Sequence, residues 1–208
     1  MLLTIFILIV LFFSIIIHEI AHGSIANSLG DSTAKDAGRL TLNPLKHIDP
    51  VGTILLPMVF MLGYMASGST GPIVGWAKPV PVNPFNLRDR KWGMLKVSLA
   101  GPSTNFLIAL IFGLLIRFID FPASLNLLFG IISFYNFAWG IFNLVPIFPL
   151  DGSHILFSIL GRKFMELKNF MEKYYLLFFV LLFFFGIDIV FRLARILYIF
   201  VSGQPFGI

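Results

Sequence analysis

The chain has 208 residues, of which 58% are hydrophobic and only 12% charged, with 25 phenylalanines and no cysteine. A soluble domain averages about 25% charged residues, so this composition leaves too little polar surface to face water and indicates a polytopic membrane protein. The formal net charge of +5 does not mark a nucleic-acid binder, because the basic residues fall between apolar segments and form no aromatic-basic patch. Without cysteine, disulfides and thiolate-held zinc are excluded, and His, Asp and Glu remain as the strong metal ligands.

Residues 2–29 form the first apolar segment, with only Thr4 and Ser14 polar before His18. It lacks the basic n-region of a signal peptide and is read as a retained helix. Near its end stands His18-Glu19-Ile20-Ala21-His22. On a helix, positions four apart share a face, so both imidazoles can grip one metal ion, and Glu19 lies beside them as a general base. At 1.5 Å per residue His18 lies about 25 Å of helix from Met1, inside a hydrocarbon core about 30 Å thick but nearer its far face. Ionisable groups at that depth are functional suspects.

Gly30-Asp31 ends the helix, and residues 31–50 read as a polar loop with turns at Asn43-Pro44 and Asp49-Pro50. The apolar stretch 51–67 contains Pro57 and runs into a glycine-rich segment before the polar loop 76–93. Residues 94–119 predict a spanning helix broken near its start by Gly101-Pro102. After a turn at Asp120-Phe121-Pro122, residues 123–150 cross back and end in Pro146-Ile147-Phe148-Pro149. A short helix is expected near 152–160, then a basic segment, a last span at 174–191 and a tail at 192–208 carrying Arg192 and Arg195. Asp188 is expected to pair with Arg192 one turn later.

Charge sets the sidedness. Loops 31–50, 76–93 and 161–173 hold three, four and four basic residues, with Lys96 beside the second, so all three are predicted to be cytoplasmic. If the first two share a face, residues 51–75 enter and leave by that face. Irregular backbone there is tolerated only where protein or a wet cavity shields it, which predicts a re-entrant hairpin rather than two short tilted spans. The expected fold is an all-α polytopic membrane protein, about four spanning helices plus the hairpin, in one domain over 1–208.

A hydrolytic zinc held by two histidines needs a third protein ligand and an open position for water. His47 and Asp49 read as a solvated turn, and Asp120 falls on the wrong side. Asp151, at the cytoplasmic end of an outside-to-inside span, matches the depth of the motif, with His154 its rival. The prolines before it break the helix, and Gly152 lets the chain turn tightly.

The helix-borne His18-Glu19-Ile20-Ala21-His22, with Asn143-Leu144-Val145-Pro146 and Asp151-Gly152, resembles the site-2 protease family of intramembrane zinc metalloproteases, in its short single-domain prokaryotic form. The family's downstream pattern of Asn, two residues, Pro, four residues, Asp-Gly is matched over 143–152 in spacing and identity. His47-Ile48-Asp49-Pro50, the loop Trp76 to Pro84, and Ala100-Gly101-Pro102 extend the likeness over about residues 10–160. The resemblance implies one zinc ion held by His18, His22 and Asp151, Glu19 as the catalytic group, and Asn143 near the substrate backbone. The motif lies in the first helix, so the helix that precedes it in some members is missing. Regulation through PDZ or CBS domains does not carry over, and His154 has no role in the pattern.

The expected function is hydrolysis of peptide bonds within or near the transmembrane segments of membrane proteins. It places the chain in the cell membrane with its site toward the cytoplasm, and its partners are a transmembrane substrate and the bilayer. A metal-ion or proton transporter would favour an inverted repeat, and none is seen. An inactive scaffold would predict a lost Glu or ligand, and all four residues are present.

Overall fold

The computed structural model describes residues 2–68 and 75–206, with the backbone alone at Arg162. Among these, five helices are long and apolar enough to cross a membrane: α1 (Leu2–Ser28), α2 (Pro50–Ser67), α3 (Gly93–Phe118), α4 (Ala123–Leu144) and α7 (Tyr175–Ser202). Two shorter helices, α5 (Asp151–Leu160) and α6 (Met165–Lys173), lie between α4 and α7. Many large apolar side chains point outward, as suits a chain whose solvent is lipid rather than water.

Helices α3 and α4 are the centre of the bundle. One core joins Ala109 and Ile116 of α3 to Phe134, Phe137 and Ala138 of α4 and to Ala194, Tyr198 and Val201 of α7. Small residues bring the backbones close: a methyl at Gly113 would meet Val201 Cγ1 at 2.8 Å. Helix α1 packs on the other side of α3. The turn between α3 and α4 closes the far end of the bundle, and the polar loops gather at the near end.

The predicted hairpin is drawn differently from expectation. Residues 50–67 form one helix, opening with a π-type turn at Pro50–Leu55 whose first amides are capped by Asp49 Oδ1. Pro57 sits at the start of the α-helical part, where its missing N–H is tolerated, so it does not break the segment. Residues 69–74, part of the stretch expected to form the hairpin, lie outside the described residues. At its foot Trp76 N donates to Gly52 O at 3.1 Å, and Thr53 Oγ1 donates to Trp76 O at 2.8 Å. The chain is therefore back beside the first turn of α2 nine residues after Ser67.

Other elements correct the sequence reading. Gly101-Pro102 does not interrupt α3, which runs unbroken through Pro102. The last helix does not stop at residue 191. It continues to Ser202, because Val190, Ala194, Tyr198 and Val201 keep a buried stripe at helical spacing. No ion pair joins Asp188 to Arg192 among the described residues. His47 is fully buried, not solvated, and its Nε2 bonds Thr41 O at 2.8 Å.

The loop at 76–88 is pinned along its whole length. Lys78 N donates to His47 O, and the Arg39 guanidinium donates to Lys78 O at 2.6 Å. Further on, Asp31 is fully buried and accepts from Asn83 N at 2.7 Å, from Asn86 Nδ2 at 3.0 Å and from the Thr33 hydroxyl. Arg88 N then donates to Leu29 O at the end of α1. Burial alone would raise the pKa of Asp31, but the hydrogen bonds from Thr33, Asn83 and Asn86 outweigh it and hold the carboxyl below the usual carboxylate range.

A group whose pKa is depressed on folding contributes stability above its unfolded value, near pH 3.9, and that stability is lost as pH falls through the folded value. Asp31→Ala is therefore expected to destabilise the protein by about 1–3 kcal/mol near neutrality. The difference between wild type and variant should shrink as pH drops below about 4, as read by thermal unfolding in detergent micelles.

Candidate metal centre

The last turns of α1 carry His18, Glu19 and His22, whose ligating atoms all lie within 4.8 Å of one another. Helix geometry turns both imidazoles toward α3, where Gly101 leaves room for them. A methyl at Gly101 would fall 2.5 Å from His18 Cε1 and against His22 Nε2. Any side chain there would have to displace the imidazoles.

Asp151 arrives from the far end of the sequence as the first residue of α5. Gly152 permits this, since a side chain there would collide with the carbonyl oxygens of Leu144 and Val145. Asp151 Oδ2 lies 3.1 Å from His18 Nε2 and 3.2 Å from His22 Nε2, and the two Nε2 atoms are 2.9 Å apart. Ligand atoms around a tetrahedral zinc at about 2.0–2.1 Å stand roughly 3.3 Å from each other. The observed triangle is close to one face of that tetrahedron.

The protons decide what the triangle is. His18 Nδ1 lies 2.6 Å from Asn105 Oδ1, and His22 Nδ1 lies 2.7 Å from the carbonyl oxygen of Val97. Both partners are acceptors, so each Nδ1 carries the proton and each Nε2 presents a lone pair. The short Nε2–Nε2 approach is then no hydrogen bond. Two lone pairs and a carboxylate oxygen converge on one point, and Asp151 Oδ2 is buried with no hydrogen-bond donor among the described residues. Such a cluster is repulsive by itself and fits a divalent cation.

Glu19 and Asp151 are both carboxylates near the imidazoles, and their surroundings separate them. Glu19 Oε2 accepts the Val80 N–H at 2.7 Å. Val80 stands between Pro79 and Pro81, neither of which has an N–H, so it is the one backbone donor of that run. The pinned loop thus holds Glu19 at the mouth of the site, while Asp151 Oδ2 has no such partner among the described residues. These residues line a cavity of about 250 Å³, with Asn143 and His154 on its wall. Asn143 is buried, and its Nδ2 donates to Trp139 O one turn back in α4. The His154 ring packs edge-on against Phe148 at 5.6 Å between centroids.

Sequence reasoning missed Asn105. Its Oδ1 receives the His18 proton while its Nδ2 donates to Asn136 Oδ1 at 2.9 Å and to Ser14 O at 3.4 Å. Asn136 Nδ2 passes the chain on to Ile132 O at 2.9 Å. Every donor in this relay points away from the metal centre, which fixes the His18 tautomer and lets the bonds polarise one another. Both amides are fully buried within spanning helices. That placement was itself the available signal, since intramembrane polar side chains demand partners.

Gly101→Ala is expected to take bound zinc from near one ion per chain to near none, measured by elemental analysis of the purified protein. Asn105→Leu should weaken zinc binding by about 10–100-fold, the usual effect of removing a partner behind a ligand, as read by competition with a chromogenic chelator.

Comparison with known proteins agrees with this chemistry. Residues 121–186 match the profile of peptidase family M50. Over 188 residues the chain is 37% identical to YwhC of Bacillus subtilis, a zinc metalloprotease by name, covering 86% of this chain and 80% of that protein. Zinc metalloprotease MJ0392 of Methanocaldococcus jannaschii is 34% identical over 92 residues, 43% of this chain and 27% of that protein. Rip2 of Mycolicibacterium smegmatis, again a zinc metalloprotease by name, is 34% identical over 142 residues, 67% of this chain and 51% of that protein. No solved structure matches. The chain belongs to peptidase family M50, the site-2 protease family, and is a zinc metalloprotease built as a multi-pass membrane protein.

Proposed function

We propose that the protein hydrolyses peptide bonds within or near the transmembrane segments of other membrane proteins, the reaction of regulated intramembrane proteolysis. His18, His22 and Asp151 would hold the zinc, and Glu19 would act as general base. The observation that carries this reading is the convergence of two unprotonated Nε2 atoms and an orphaned carboxylate oxygen beside a carboxylate tied elsewhere.

The zinc ion, when bound, supplies a Lewis acid that polarises a carbonyl and activates water at neutral pH. Glu19 takes the water's proton on a carboxylate oxygen and delivers it to the leaving amine nitrogen. Its hydrogen bond from Val80 keeps one oxygen oriented and leaves the other for the proton. Asn105 and the Val97 carbonyl keep both imidazoles in the tautomer a ligand needs. Asn143, on the cavity wall, is placed to hydrogen-bond the backbone of an unwound substrate, whose amide groups find no water within lipid.

A helical substrate must unwind before its carbonyls are reachable, and the loop whose Val80 N–H holds Glu19 stands next to the site where this would occur. The basic loops 31–50, 76–93 and 161–173 lie with the metal centre toward one end of the bundle, which supports a site near the cytoplasmic face of the cell membrane.

Glu19→Gln is expected to abolish cleavage of a membrane-protein substrate in reconstituted vesicles while zinc content stays near wild type. Asp151→Asn should lower zinc content itself. Cleavage that survives in Glu19→Gln would remove Glu19 from the mechanism. Comparing membrane proteomes of cells carrying wild type and Glu19→Gln should reveal an accumulating membrane-anchored fragment.

A further inference from the structure

Helix α7 carries Asp188, Arg192 and Arg195 along one exposed stripe, and the three line a common surface hollow with Phe191. Their depth follows from the packing. Phe134, at the middle of α4, lies 6.0 Å from Phe191 and 6.4 Å from Tyr198 between ring centroids. Residues 192–195 of α7 are therefore level with the middle of a helix that is itself about as long as the hydrocarbon core is thick. At the outer end, Arg117 Nη1 donates to Phe200 O at 2.7 Å, closing the bundle near the last turn of α7.

Either end of α4 is about ten residues, or roughly 15 Å, from Phe134. Among the described residues neither Arg192 nor Arg195 makes a hydrogen bond or ion pair, and Asp188 makes none either. Each arginine at the centre of a spanning helix disfavours insertion by about 2.5–3.5 kcal/mol on translocon scales, and such residues almost always face a partner or a wet cavity.

We infer that this stripe is a docking surface for a transmembrane helix of another protein that carries a carboxylate at mid-membrane depth. Charge selects that partner over a second copy of the chain. The stripe holds two positive groups and one negative. A two-fold axis along the membrane normal would set α7 beside its copy at equal depth and double the surplus. One carboxylate facing Arg192 and Arg195 neutralises it instead. The surface lies on α7, away from the zinc ligands, so the inference stands apart from the proteolytic reading.

The test uses the full chain in phosphatidylcholine vesicles with a labelled polyleucine helix bearing one central aspartate, and matched helices bearing leucine or lysine there. Energy transfer should show the aspartate helix associating roughly tenfold more tightly than the leucine helix, the scale of a good interhelical polar contact. The lysine helix should be excluded. Arg192→Leu/Arg195→Leu, which favours insertion and so does not threaten folding, should erase the preference, and Arg192→Lys/Arg195→Lys should retain part of it. An aspartate helix that binds no better than leucine, or as well to the double leucine variant, overturns the proposal. So does self-association of the wild-type chain that the double leucine variant loses, which would assign the stripe to a second copy.

Discussion

Everything in this protein is arranged around three electron pairs that point at one another inside a membrane. Nε2 of His18, Nε2 of His22 and Oδ2 of Asp151 lie 2.9–3.2 Å apart with no proton to share. In a low dielectric such a contact is strongly repulsive, and only a cation turns it into attraction. The surrounding fold maintains that arrangement. Gly101 clears space for the imidazoles, Gly152 lets Asp151 approach, and the Val97 carbonyl and Asn105 hold protons on the outer ring nitrogens.

The same logic divides labour between the two acidic residues. A carboxylate that already accepts a backbone N–H, as Glu19 does from Val80, is oriented and keeps an oxygen for a proton. A buried carboxylate oxygen with no donor, as in Asp151, is suited to a metal. The loop at 76–88 matters for this reason. Its bonds to His47, Arg39 and Asp31 look remote from chemistry, yet they fix the position of the one amide that holds Glu19.

Much of the candidate metal centre could be read in the sequence because its first half is local. Two histidines four apart on a helix share a face whatever the rest of the chain does. Asp151 was expected at the depth of the histidines from charge patterning, and its Oδ2 does lie within 3.2 Å of both Nε2 atoms. The proton acceptors behind the histidines were harder. A contact to the Val97 carbonyl leaves no trace in residue identity, and Asn105 is visible only to a reader who asks why an amide lies in the middle of a spanning helix. Arg192 and Arg195 misled in the opposite sense. Reading them as a tail ended α7 too early, whereas the buried stripe from Val190 to Val201 shows that packing, not charge, sets that helix's length. His47 was misread because a polar loop can still bury a side chain when a second loop lies across it.

The central claim, that Asp151 completes the zinc site and Glu19 stays outside it, is tested most directly by zinc K-edge X-ray absorption on the purified protein. The account predicts two imidazole nitrogens at about 2.0–2.1 Å with oxygen ligands beside them. That spectrum should be unchanged in Glu19→Gln, and its ligand shell should be altered in Asp151→Asn. A shell that changes with Glu19→Gln and survives Asp151→Asn would contradict it, and would make Glu19 the ligand.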